Sequence, residues 1–147
     1  MSLPEFNSVG DLPPGVHRST WPEFLERFRG VSAQRRRCTR NVEHIYELAA
    51  ATKHLRRFVV FGSYVTDKTE PNDVDVILVM DDDFRSIDAP VEVRGLFDHA
   101  TAQARHSASV FWIKPSVLIG GDTEDEFIRH WQVKRDHSSR GIVEIVT

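Results

Sequence analysis

Two short apolar runs, Phe58–Phe61 and Val74–Met80, constrain this chain more than any other feature. Neither alternates polar with apolar residues, so each reads as a strand buried on both faces. Gly62-Ser63 follows the first run directly, and Asp73 and Asp75 stand at the mouth of the second. Side chains alternate along a strand, which puts Asp73 and Asp75 on one face, about 7 Å apart at Cα. Packing alone gives no reason for two acids there, because unpaired they repel and each resists ionisation. The competing reading is a strand-turn-strand hairpin around Pro71-Asn72-Asp73, with its acids on a wet edge.

The remaining elements follow from capping and periodicity. Residues 1–18 read as an extended leader rich in Pro and Gly, and residues 19–147 as a single domain. Thr20-Trp21-Pro22-Glu23 has capping-box spacing with Pro near the first helical position, opening a helix to about Phe28 that Gly30 ends. Ser32 caps a longer helix to about Leu55, with Cys38, Val42, Ile45, Leu48, Ala49 and Leu55 on one face. A helix is expected from about Val91 to Arg105, and a third strand over Ala108–Ile113. Thr123 to Glu126 forms a second capping box for a helix to about Val133. A polar turn, Asp136–Arg140, leads to a last strand, Ile142–Val146. The order α-α-β-β-α-β-α-β predicts an α/β (α+β) domain, a small mixed β-sheet with flanking helices.

Composition removes several function classes. The chain has 147 residues, 40% hydrophobic and 28% charged, with a net charge of −3. That size suits one domain with its own core, and that charge gives no global footprint for nucleic acid. Cys38 is the only cysteine, which excludes an internal disulfide and paired-cysteine zinc or redox motifs. No apolar run approaches a membrane span of ~18 residues, and the N-terminus has no signal pattern, so a cytoplasmic location is expected. The histidines show no HxxxH or HExxH spacing, and no GxSxG is present.

Gly62-Ser63 followed by Asp73-x-Asp75, placed after one buried strand and at the start of the next, resembles the signature of the DNA polymerase beta-like nucleotidyltransferase superfamily. Beyond this motif, LPPGVH, FVVFGSYVTDKTEPNDVDV and RGIVEI are similar to segments of a little-characterised family of small bacterial nucleotidyltransferase-like proteins. The resemblance implies a nucleotidyltransferase-like fold and transfer of a nucleoside monophosphate from an NTP. It implies Mg²⁺ held by Asp73 and Asp75 as the catalytic carboxylates, and NTP phosphates held by Gly62 and Ser63. The chemistry of the residues agrees. Mg²⁺ takes oxygen ligands and is often held by one or two carboxylates plus substrate phosphates. Glycine admits a close anion, and Ser63 is expected to open a short helix, Ser63–Thr66, whose N–H groups favour phosphate.

The superfamily places a third acid on the next strand, where this chain has Ser109. Serine is no general base at neutral pH, and it cannot match a carboxylate on Mg²⁺. Glu92, Asp98, His99 and His106 are the nearby substitutes, His106 being closest in sequence. Asp81–Asp83 lie some 20 Å along the strand from Asp75 and read as a solvated turn. Two functions stay open. One is nucleotidyl transfer to a protein or small-molecule acceptor, weakened by Ser109. The other is a catalytically degenerate nucleotidyltransferase fold, a pseudoenzyme that binds nucleotide such as ATP or a protein partner in the manner of an antitoxin. Lys53, Arg56, Arg57 and Lys114 are the cations that sequence offers to a triphosphate. Arg35, Arg36, Arg37 and Arg40 read as a solvated helix face, and Phe111 and Trp112 as core. Leu3, Phe6, Val9 and Leu12 either tie the leader to the core or form a patch for a partner.

Overall fold

The last strand of the sheet is completed by the first. In the computed structural model, which describes residues 3–118 and 123–146, β1 (Val16–Ser19) lies parallel to β5 (Ile142–Ile145). The single-domain span 19–147 and the leader 1–18 also take in residues 1–2, 119–122 and 147, which lie outside the described residues. Between β1 and β5 come α1 (Trp21–Phe28), α2 (Ala33–Ala51), β2 (Leu55–Phe61), β3 (Val74–Met80), α3 (Val91–Arg94), α4 (His99–His106), β4 (Ala108–Ile113) and α5 (Glu124–Arg129). The sheet is mixed, in the order β1-β5-β2-β3-β4. β2 runs antiparallel to both β5 and β3, while β3 and β4 are parallel. This is the mixed sheet with flanking helices that the apolar runs predict.

Both faces of β2 and β3 are indeed covered. Phe58, Val60, Val74, Val76 and Leu78 pack with Phe24 and Phe28 of α1, Val42 and Ile45 of α2 and Ala102 of α4. Val59, Ile77 and Val79 pack on the other face with Ile128 of α5. Asp75 shares that second face by alternation with Ile77 and Val79. β3 is an inner strand between β2 and β4, so the wet-edge hairpin does not form. No helix among the described residues is long and apolar enough to cross a membrane.

The leader carries no helix, but its last residues enter β1, so the sheet begins inside it. Leu3 and Leu12 are buried and Phe6 packs on Phe28, which ties the segment to the core; Val9 alone of that set is well exposed. Thr20 and Ser32 cap their helices as expected. The Glu23 carboxylate does not complete the box. It accepts instead from the Leu3 backbone N–H, while Arg27 donates to the carbonyls of Leu3 and Pro4. α2 stops at Ala51 because Leu55 is already paired in β2, with Lys53 at φ 66° making the turn. The helix expected over Val91–Arg105 is broken at Asp98, whose carboxylate caps α4 through the Thr101 N–H. α5 ends at Arg129 in a 3-10 turn, His130–Gln132.

Candidate functional site

The site forms where β2 ends. Gly62 leaves the strand at φ 84° and ψ −165°, and a single 3-10 turn, Ser63–Val65, follows. A Cβ on Gly62 would lie 2.0 Å from Asp75 Oδ2, so no other residue fits unless Asp75 moves. The helix expected at Ser63–Thr66 is this one turn, too short to gather a helix dipole.

What holds the turn is a residue the sequence reading assigned to a solvated face. Arg35 is buried, and its guanidinium donates to the carbonyls of Phe28 (2.8 Å), Tyr64 (3.0 Å), Thr66 (2.6 Å) and Lys68 (2.8 Å). It also stacks on the Tyr64 ring. Five donors in a planar fork let one arginine satisfy several loop carbonyls, which a lysine cannot do. Gly30, at φ 64°, makes room: a Cβ there would stand 2.4 Å from Arg35 Cδ. Arg36, Arg37 and Arg40 are exposed as expected. The Tyr64 hydroxyl lies 2.6 Å from Thr39 Oγ1, and burial pushes its pKa up to about 12.

Asp75 pairs with Phe61 across β2 and with Ser109 across β4. Ser109 therefore stands directly beside Asp75, at the position where a third acid is expected. Gly62, Ser63, Asp73, Asp75 and Ser109 all line one cavity of about 950 Å³. Burial pushes the Asp75 carboxyl up to about 6, and repulsion from Asp73 adds to it; Ser109 and Arg140 act the other way. The Ser109 hydroxyl lies 3.1 Å from Gln103 Oε1.

None of the substitutes for the third acid reaches the cavity. Asp98 is used as a cap, and His99 packs on Phe111. His106 packs against His44 with ring centroids 5.4 Å apart, and burial, then His44, lowers its pKa. Glu92 lies on α3, away from the lining. At the far end of β3, Asp81 lies near His54 and Arg56, and Asp82 accepts from the Ser116 N–H.

The cations differ from those expected. Arg57 is committed to Glu144 (2.7 Å) and Asp125 (2.9 Å), and Arg56 to Glu124 (3.2 Å). Lys114 donates to the Phe84 carbonyl, and neither it nor Lys53 lines the cavity. The cavity is lined by Lys68, Lys134, Arg135 and Arg140, together with His130 and Asp136. Sequence reasoning missed Lys68 although it lies in the loop between Ser63 and Asp73. It missed Lys134, Arg135 and Arg140 because only the pairing of β5 beside β2 brings residues just before Ile142 next to Gly62. The one local signal was their density: three cations within seven residues of a polar turn.

An aromatic wall completes the site. Phe61 and Trp131 line the cavity with ring centroids 5.0 Å apart, and Phe111 backs them, 4.7 Å from Trp131. Trp131 Nε1 is buried without a hydrogen-bond partner among the described residues. Trp112 belongs to the core, as expected, between Phe84 and Phe97.

A family model described as a family of unknown function, DUF6932, matches residues 4–146. The chain belongs to that family. In this DUF6932 chain the match runs from the leader through β5, so it contains every residue of the cavity. No curated protein and no solved structure gives a match.

The donor set of this DUF6932 site suits a divalent cation only in part. Among the described residues no group of three or more His, Cys, Asp or Glu side chains is placed to hold a metal. Asp73 and Asp75 remain as a pair, which fits Mg²⁺ when phosphate oxygens and water supply the other ligands. A carboxylate whose pKa is raised to about 6, first by burial and then by repulsion from Asp73, gains from a cation.

Proposed function

We propose that the cavity binds a nucleoside triphosphate with Mg²⁺ and transfers its nucleotidyl group to a hydroxyl or amine of a protein or small-molecule acceptor. The observation that carries this reading is the contact of Gly62 with Asp75. It sets a loop of phosphate-binding chemistry against a carboxylate pair, with no room for a side chain between them. Phosphates would lie along Gly62, Ser63 and the cavity cations, and the base along Phe61 and Trp131. Mg²⁺ bound by Asp73 and Asp75 would supply charge neutralisation and orientation of the phosphates. In the transfer, an acceptor oxygen or nitrogen bonds to the α-phosphorus, the bond to the bridging oxygen breaks, and pyrophosphate leaves. The proton passes from the acceptor to solvent or to a carboxylate.

Ser109 favours a second reading, in which the site binds nucleotide without transfer, as an antitoxin-like or other partner-directed module does. A hydroxyl beside Asp75 leaves the acceptor without the carboxylate that would take its proton, and general-base loss typically costs about 10²–10⁴-fold. The two readings share the binding step and part at transfer.

Thermal unfolding with ATP, GTP, CTP or UTP plus Mg²⁺ tests the shared step. Ligand at 100 times its Kd stabilises by about 2.7 kcal/mol, and that shift should vanish in Asp75→Asn. Pyrophosphate release with candidate acceptors then separates transfer from binding. No shift with any nucleotide overturns both readings.

A further inference from the structure

The four cations of the cavity are not equivalent. Asp11, buried in the leader, accepts from Lys134 Nζ at 2.9 Å and lies 3.7 Å from Arg140 Nη1. Lys68 and Arg135 have exposed side chains with no ion-pair or hydrogen-bond partner among the described residues. Both are held close to the same post. Asp11 bridges to Thr66, two residues before Lys68, and the Asp67 N–H donates to the Gly10 carbonyl at 2.9 Å. Arg135 follows Lys134 in a tight turn closed by the Lys134 and Ser138 backbones at 2.8 Å. The one acid in that turn, Asp136, is occupied by the Ser138 N–H and hydroxyl.

We propose that Lys68 and Arg135 form a two-sided clamp for an oligophosphate chain, with Asp11 as the positioning residue that joins its two walls. The leader thus works as a strap. It neutralises Lys134 and Arg140, which keeps those two as structure, and leaves two uncommitted charges lining the cavity from two different loops. A phosphate chain running from Gly62-Ser63 toward the Arg135 turn meets both, and released pyrophosphate would be held by the same pair. The ligand class rests on the nucleotide reading; the division of the cations does not.

Inorganic tripolyphosphate, titrated calorimetrically into the full chain without Mg²⁺, is the probe. Lys68→Gln and Arg135→Gln should each weaken binding about tenfold, the loss of one charge-assisted contact, with unchanged melting temperature. Lys134→Gln should instead lower the melting temperature, since it strips a partner from buried Asp11, and should weaken tripolyphosphate less. Wild-type affinity in both Lys68→Gln and Arg135→Gln overturns the clamp, and so does failure of the wild type to bind tripolyphosphate. Tripolyphosphate binding that weakens in Lys68→Gln and Arg135→Gln, without any Asp75-dependent nucleotide shift, would uphold the clamp and remove the nucleotidyl-transfer reading. The converse result would remove the clamp alone.

Discussion

Gly62 and Asp75 occupy each other's space: the missing side chain of one is where the carboxylate of the other sits. A Cβ on Gly62 would be 2.0 Å from Oδ2 and 3.0 Å from Cγ of Asp75. The backbone there has φ 84°, a region costly to side-chain-bearing residues. Gly62→Ala should therefore destabilise the fold by roughly 1–3 kcal/mol through strain and displacement of Asp75. Urea unfolding measures the loss. Ser63→Ala, which adds no atoms, should cost far less while still weakening nucleotide binding.

Asp75 makes stability depend on pH in an unusual direction. Its folded pKa of about 6 lies above the ordinary 3.8, so the native state binds the proton more tightly than the unfolded chain. The native state is favoured below about pH 4, and this advantage is lost as pH rises through about 6. Asp75→Asn should then raise the melting temperature at pH 7–8 without nucleotide, by an amount equivalent to ~2 kcal/mol or less. The gain should shrink toward pH 4. Equal effects of the substitution at pH 4.5 and pH 8 would show that burial of Asp75 does not disfavour its charge.

Arg35 ties α2 to the loop that carries Ser63. Arg35→Met keeps much of the apolar stem but leaves carbonyls of Phe28, Tyr64, Thr66 and Lys68 without their donor. Hydrogen bonds to a charged group are worth about 1.5–3 kcal/mol each, but overlapping losses do not add, so a destabilisation of about 2–4 kcal/mol is expected. Hydrogen exchange at the amides of residues 63–68 should rise more than at β2 and β3. Arg35→Lys should rescue little, because an ammonium cannot span the same fork.

Ser109→Asp separates the two functional readings. It adds a carboxylate in register with Asp75. Without Mg²⁺ the variant should be less stable than wild type at pH 7, through repulsion with Asp73 and Asp75, and Mg²⁺ should restore stability. If the site performs transfer, the rate should rise by roughly 10²-fold, as expected for a regained general base. Nucleotide binding with no transfer in either protein would assign the site to binding alone.

Much of this architecture is local in origin. Thr20, Ser32 and Thr123 cap helices because their side chains bond amides three residues on, within reach of sequence alone. The unbroken apolar runs at Phe58 and Val74 become inner strands because only coverage on both faces removes them from water. The alternation that puts Asp73 and Asp75 beside the same cavity was legible as well, whereas the place of Ser109 was implied only by the family resemblance.

Tertiary structure decided the rest, and in each case the cause is a contact between residues far apart in the chain. The register of β3 with β4 set Ser109 against Asp75, and the antiparallel seat of β5 beside β2 delivered Lys134, Arg135 and Arg140 to the cavity. The four arginines of α2 look alike in sequence, yet only Arg35 is buried, its guanidinium on the Tyr64 and Thr66 carbonyls in space left by Gly30. Likewise the leader reads as an uncommitted segment until β1 finds β5 and Asp11 finds two cations. Periodicity and capping report what a residue does for its own element. Which charge is spent on structure and which is left for a ligand depends on partners that only folding brings within a few ångströms.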